Sequence, residues 1–264
     1  MNVMIAKVDN KAIVSVDRVT ISFPVYQGGA RSLKKRFLFQ GSAGRIGRDA
    51  NDRVIIEALR DISLSLAAGD RVALIGANGA GKTTLLRAIA GIYEPAEGRL
   101  TTRGRISPMF DISLGINPDI SGLENIRLRA LLLGLTSAEI EQRLPEIVEF
   151  TELGDYLDMP VRTYSSGMML RLSFAVATCF EPDILLMDEW ILAGDAYFIG
   201  KAETRLDSFV ERARVMVLAS HNLELCGRWC TSAIWLDQGS IREFGPINQV
   251  IRRYQDFVAR AQPH

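Results

Sequence analysis

The chain has 264 residues, 31 Lys+Arg against 31 Asp+Glu, and an apolar share of 48%. That composition excludes a disordered chain and leaves room for one large or two small domains. A formal charge of zero lacks the basic excess of a nucleic-acid binder, three cysteines are too few for a disulfide framework, and no run reaches the ~18 apolar residues of a membrane span.

Residues 12–23, "AIVSVDRVTISF", and 58–66, "ALRDISLSL", alternate apolar and polar positions. They are expected to pair as antiparallel strands. The start of the chain reads as a strand, not as a signal peptide. Between the two strands lies a Gly- and Arg-rich insert, 27–57. Its stretch "ARSLKKRFLF" sets Lys34, Lys35 and Arg36 among Leu33, Phe37 and Leu38. That pattern suits a short basic helix that lies on an anionic membrane surface or guides a pyrophosphate-linked substrate, or equally a solvated loop; placement at the membrane surface is the favoured expectation.

"RVALIG", 71–76, is a continuous apolar run, as a parallel strand covered on both faces requires. It leads into "GANGAGKT", Gly76 to Thr83, which fits G-x-x-x-x-G-K-[ST] in full. The glycines let the backbone curl so that N–H groups face phosphate oxygens. The cradle expected for ATP is Gly76, Ala77, Asn78, Gly79, Ala80, Gly81, Lys82, Thr83 and the adjoining Thr84. Lys82 supplies a point charge at the β/γ oxygens and Thr83 a hydroxyl for Mg²⁺. A helix from Lys82 to about Ala90 should stop at Gly91.

Helices are expected from about Ile120 to Leu157. "SGLE" from Ser121 and "TSAE" from Thr136 each read as a capping box, and Gly134 separates the two helices. "YSSGM", Tyr164 to Met168, is a second turn of the anion-binding type before an apolar helix. An ordinary helix cap by Ser165 or Ser166 is the simpler reading of that turn alone. "DILLMD", 183–188, is a buried strand that delivers Asp188 at its C-terminal end, where a Mg²⁺ acid is needed. Glu189 follows, placed to polarise a water. A helix near 200–212, a strand at 214–220, a hairpin turning at Gln238-Gly239 and an amphipathic helix from Ile247 complete the chain. Cys226, Cys230, Cys179 and His221 do not have the spacing of a zinc site, so the thiols are expected to be buried and inert. The pattern is α/β, with a parallel core sheet, an antiparallel flank and no internal repeat.

In this order the motifs resemble the nucleotide-binding subunits of ABC transporters, over nearly the whole chain. Gly76–Thr83 is similar to the Walker A loop, Asp188 and Glu189 to the Walker B acid and catalytic base, Leu192–Asp195 to the D-loop, and His221 to the switch histidine. "YSSGM" stands where the family writes Leu-Ser-Gly-Gly-Gln. The resemblance implies a P-loop NTPase fold with an inserted helical subdomain: a core with its β flank over 12–115 and 168–246, the helical part over 116–167, and a C-terminal helix over 247–264. It implies a head-to-tail homodimer in which Ser165, Ser166 and Gly167 of one copy, with Asp195, cover the ATP held by the other. It also implies ATP hydrolysis that uses Lys82, Glu189 and His221.

"TYSSGM", "DEWILAGDAYF", "SGLENI" and the long insert resemble the polysaccharide-export branch: O-antigen, teichoic acid and capsule exporters, in a short form without a C-terminal sugar-binding domain. That branch implies a separate integral-membrane permease dimer, a lipid-linked polysaccharide as cargo, no nucleic acid, and a peripheral place on the cytoplasmic face of the inner membrane. There are departures. "ISPMFDISLGINPD" has no Gln, and Asp111 stands roughly where that Mg²⁺ contact belongs. Trp190 replaces the Pro usual after the catalytic Glu. Phe23 and Tyr26 both qualify as the aromatic that stacks on adenine. The alternatives are an ABC-type ATPase acting on DNA or ribosomes, which would want coiled-coil arms or a second ATPase module; an ABC transporter ATPase for another substrate; and a nucleotide-dependent regulator without turnover, which would not need both Glu189 and His221.

Overall fold

The computed structural model describes residues 13–24, 45–48, 54–110, 115–178, 181–188 and 196–261. Tyr26, Lys34, Lys35, Arg36, Asp111, Cys179, Glu189, Trp190 and Asp195 lie outside them. The chain divides into two compact units. Unit 1 comprises the described residues of Met1–Arg103, Leu186–Glu189 and Arg214–His264, and unit 2 those of Gly104–Leu185 and Trp190–Ala213.

Unit 1 holds two sheets. The first has the order β2-β3-β1-β5, from β1 (Val14–Pro24), β2 (Arg45–Arg48), β3 (Val54–Leu66) and β5 (Glu97–Thr102). The expected β1–β3 pairing is present and antiparallel, with Val14 opposite Leu66 and Phe23 opposite Ile56. Strand β3 begins at Val54, earlier than the alternating pattern alone indicated, because β2 pairs with its first residues, Arg45 opposite Glu57. The second sheet runs β10-β9-β4-β8, followed by β7 (Ile184–Asp188) beside β8. Strand β4 (Arg71–Ile75) lies parallel to both β8 (Val215–Ala219) and β9 (Ser232–Asp237). Every residue of β8 is buried, as are Val72 to Ile75, which is why these strands read as unbroken apolar runs. Helix α1 (Lys82–Ile89) buries Leu85, Leu86 and Ile89. The β9–β10 hairpin turns at Gln238 and Gly239 as expected, with β10 at Ser240–Pro246.

Unit 2 is mainly helical: α2 (Gly122–Leu132), α3 (Ser137–Thr151), α4 (Ser166–Ala177) and α5 (Ala196–Arg212), with β6 (Ile106–Met109) beside β7. Both capping boxes form. The Ser121 hydroxyl accepts from Glu124 N at 3.2 Å while Ser121 N donates to the Glu124 carboxylate at 2.8 Å. Thr136 and Glu139 repeat this at 3.3 and 2.8 Å. These backbone N–H groups hold both carboxyls below the usual range. Phe150, Phe174 and Phe198 meet with ring centroids 5.8, 5.8 and 6.1 Å apart, uniting α3, α4 and α5. Among the described residues no helix is long and apolar enough to cross a membrane.

Asn125 is fully buried in α2 and holds the chain before the helix. Its amide oxygen accepts from Asn117 N at 2.8 Å, and its Nδ2 donates to Asn117 O at 2.9 Å and Ser121 O at 3.0 Å. Asn125→Ala removes the side-chain partners of Asn117 N and Asn117 O, while Ser121 O keeps its bond from the Asn125 backbone N–H. It should cost about 1–3 kcal/mol, read as a lowered melting midpoint and faster amide exchange at Asn117. Unchanged exchange there would remove Asn125 from this role.

Candidate functional site

Strand β4 ends at Ile75, and the chain must then turn sharply to start α1. Gly76 sits at φ +149° where a Cβ would meet Leu236 O at 2.3 Å, so only glycine fits. Gly81, at φ +105°, caps α1 with no side chain bonded to the helix start, and the first turn carries no acid. The helix therefore opens with N–H groups and a positive dipole end directed at whatever the loop encloses. Ala77, Asn78 and Gly79 are exposed, Ala80 is buried, and Thr83 and Thr84 are half-buried.

Lys82 is only 7% exposed. Its ammonium donates to Gly76 O at 2.8 Å and Ala77 O at 3.2 Å, so the side chain folds back across its own loop. The His221 imidazole approaches from another strand end, with Nε2 3.4 Å from the same ammonium. This joins two motifs 139 positions apart in the chain. His221 follows β8, and both neighbours are pinned. Ser220 Oγ accepts from Asn222 N at 3.1 Å, and Asn222 Oδ1 caps α6 (Leu223–Trp229) by accepting from Leu225 N at 3.0 Å. Asp188 closes β7, half-buried.

Phe23 lies half-buried on β1 with its ring edge-on to Tyr93 at 5.0 Å; Tyr93 O–H in turn accepts from Arg87 at 3.1 Å. Asp111, Glu189, Asp195 and Tyr26 lie outside the described residues. Cys226 and Cys230 are buried, and burial pushes the Cys226 thiol up to about 11 and raises Cys230 further. Such thiols are poor nucleophiles near neutral pH.

In unit 2, helix α4 begins at Ser166, inside the Ser-Ser-Gly turn rather than after Gly167. Ser165 is its cap: the hydroxyl accepts from Met168 N at 3.2 Å. The first turn again has no acid. Tyr164 leads into it, its O–H donating to Tyr156 O at 2.6 Å. Burial, with Asp158 nearby, raises the Tyr164 phenol above its ordinary value. A Cβ on Gly122 would meet that hydroxyl at 2.3 Å, so a larger residue at the α2 start would have to displace the Tyr164 hydroxyl from its place. Arg171, one turn on, pairs with Glu152 at 3.0 Å. Lys201 reaches the same carboxylate at 2.6 Å and is the chief reason that group is held below its usual range. Sequence reasoning missed Ala58 and Leu236 and read Gly239 only as a hairpin turn; all three approach the loop through backbone atoms, which leave no side-chain signature.

Comparison with known proteins gives the same reading. Residues 59–192 match the family model described as ABC transporter. The chain is 45% identical over 225 residues to the O-antigen export system ATP-binding protein RfbE of Yersinia enterocolitica, covering 85% of this chain and 94% of that protein. It is 44% identical over 215 residues to RfbB of Myxococcus xanthus, covering 81% of this chain but 49% of that protein, so it spans about half of that relative's length. To the teichoic acids export ATP-binding protein TagH of Bacillus cereus it is 36% identical over 245 residues, with 93% of this chain and 43% of the relative covered. Among solved structures, an ATP-binding subunit of an ABC transporter superposes with TM-score 0.67 at 23% identity over 92% of this chain and 93% of that one. A dimeric ATP-binding cassette in a post-hydrolysis state with ADP and Pi gives 0.62 at 21%, over 89% and 98%. The two structures establish the fold, and the sequence matches establish the kinship: this chain belongs to the ABC transporter family.

Proposed function

We propose that the chain powers export of a lipid-linked polysaccharide of the O-antigen class, as the ATP-hydrolysing half of a transporter whose permease dimer is a separate membrane protein. The support is the 45% identity to an O-antigen export ATP-binding protein across 94% of its length. The chain would then work as a homodimer on the cytoplasmic face of the inner membrane. The single observation that carries the ATPase reading is the meeting of Lys82, Gly76 O, Ala77 O and His221 at one point.

The residues present fit a Mg²⁺-nucleotide: a loop that only glycine can turn, an uncapped helix start and a buried ammonium. Backbone N–H groups from Gly76 to Thr84 bind the phosphates, and Lys82 leaves its loop carbonyls for the β/γ oxygens. Thr83 and Asp188 would hold the Mg²⁺, with Asp111 as a further acid, and the bound ion would supply charge neutralisation at the phosphates. Glu189 takes the proton of the attacking water, and His221 orients the γ-phosphate side. Phe23 or Tyr26 stacks on adenine. From the partner copy, Ser165, Ser166 and Gly167 present an acid-free helix start to the γ-phosphate, and Asp195 reaches across. ADP lacks that phosphate, so hydrolysis opens the pair.

Two measurements test this. Turnover per chain should rise with chain concentration, since each site needs two copies; a specific activity independent of concentration and of any companion would sink the reading. The chain should also purify with an integral-membrane protein, and an association with ribosomes or DNA instead would favour the soluble alternative. Ser165→Arg puts a bulky cation at the helix start. ATP-driven dimerisation should be lost, and binding of ATP to single chains should stay within about threefold. Light scattering with ATP checks the first and nucleotide titration the second.

A further inference from the structure

Behind the phosphate loop, three backbone segments converge on one carbonyl. The β1–β3 ladder sets Ile21 opposite Leu59 but Ser22 opposite Glu57, so Ala58 is the extra residue of a β-bulge. Its carbonyl faces two glycines from elsewhere in the chain: a Cβ built on Gly81 would lie 2.8 Å from Ala58 O, and one on Gly239 2.7 Å from it. Gly239 belongs to the β9–β10 turn, where Gln238 at φ +47° and Gly239 at φ +80° suit a two-residue hairpin. This turn is bonded on both sides. Gly239 O accepts from Arg60 N at 2.7 Å, and Gly239 N donates to Ala80 O at 3.0 Å.

The second bond acts on the site through one peptide plane. The Ala80–Gly81 peptide is trans, as are all the described peptides. In a planar trans peptide the C=O and N–H point in opposite directions. Holding the Ala80 carbonyl toward the hairpin therefore aims the Gly81 N–H away from it, to the side where a phosphate loop presents its donors. A loop rich in glycine has many alternative peptide orientations, and this bond selects one.

We propose that Gly239 is a positioning residue for the nucleotide: by fixing the Ala80 carbonyl it orients the Gly81 N–H toward the phosphates. This rests on the reading of Gly76–Thr83 as the ATP loop. The effect falls on phosphates that ADP and ATP share, so both nucleotides feel it.

Gly239→Ala places a methyl group against Ala58 O and pushes the turn off the loop. Affinity for ADP and for ATP should each fall on the order of tenfold, with KM for ATP rising more than kcat falls. Gln238→Asn keeps the turn's positive φ and the Gly239 bond, and should bind ADP within about twofold of the unaltered chain. A folded Gly239→Ala chain that binds ADP as tightly as the parent overturns the proposal, and a loss confined to melting temperature does the same. Should Gly239→Ala fail to fold, amide exchange in the unaltered chain decides. The Gly239 amide should be protected and become more so with ADP; exchange at the rate of an exposed turn overturns it. If the unaltered chain binds no ADP at all, the nucleotide reading fails and the proposal falls with it.

Discussion

Lys82→Ala should weaken ATP binding roughly 30- to 4,000-fold, since truncating one partner of a buried, hydrogen-bonded charge pair costs roughly 2–5 kcal/mol and each 1.4 kcal/mol is tenfold. The size follows from burial: at 7% exposure the ammonium has little water to replace it once a phosphate is bound. Lys82→Arg should not restore affinity, because a planar guanidinium cannot occupy the point now shared by two carbonyls and an imidazole. Titration with a fluorescent ATP analogue checks both variants. Binding within about threefold of the parent in Lys82→Ala would mean the phosphates lie elsewhere.

Glu189→Gln should bind ATP normally, pair, and turn over ~10²–10⁴-fold more slowly, the usual cost of a missing general base. The amide keeps the size and hydrogen-bonding reach of the carboxylate but cannot accept the proton of water. The variant should therefore accumulate as an ATP-bound dimer, seen as a doubled mass in the presence of ATP and Mg²⁺ and as a single mass with ADP. Near-parental turnover would transfer the base role to another group. Asp188 ends the strand just before it and is left intact, so this one substitution tests the proposed base without touching the proposed metal ligand.

The parts of the molecule legible in the sequence are those where local chemistry agrees with the fold. Both capping boxes, the Gln238-Gly239 turn and the glycine turn from β4 into α1 are written in adjacent residues and form as read. The strand "EGRLTT" was illegible because it lies at an edge with most of its side chains exposed, so no alternation marks it. Strand β6 hid behind Pro108, which a sheet tolerates only at its margin, and β6 is the last strand in its sheet. Helix α6 has seven residues, too few for a period to register. At the site, Lys82 and His221 were each named from motifs, but their approach to one point depends on the parallel register of β4 and β8. The bulge at Ala58 left no trace, since it is a slip of pairing and not a residue type.

Glu152 carries a consequence for motion. It ends α3 in a left-handed turn at φ +54° and holds Arg171 of α4 and Lys201 of α5 on its two oxygens. Arg171 also lies over the Phe198 ring, and Lys201 over that of Phe150. Tilting any one of these helices alone would strip a counter-ion and lift a cation off its ring together. The three are thus geared: a displacement imposed on the Ser165 end of α4 is delivered to α5 with little slack, as through a stiff crank.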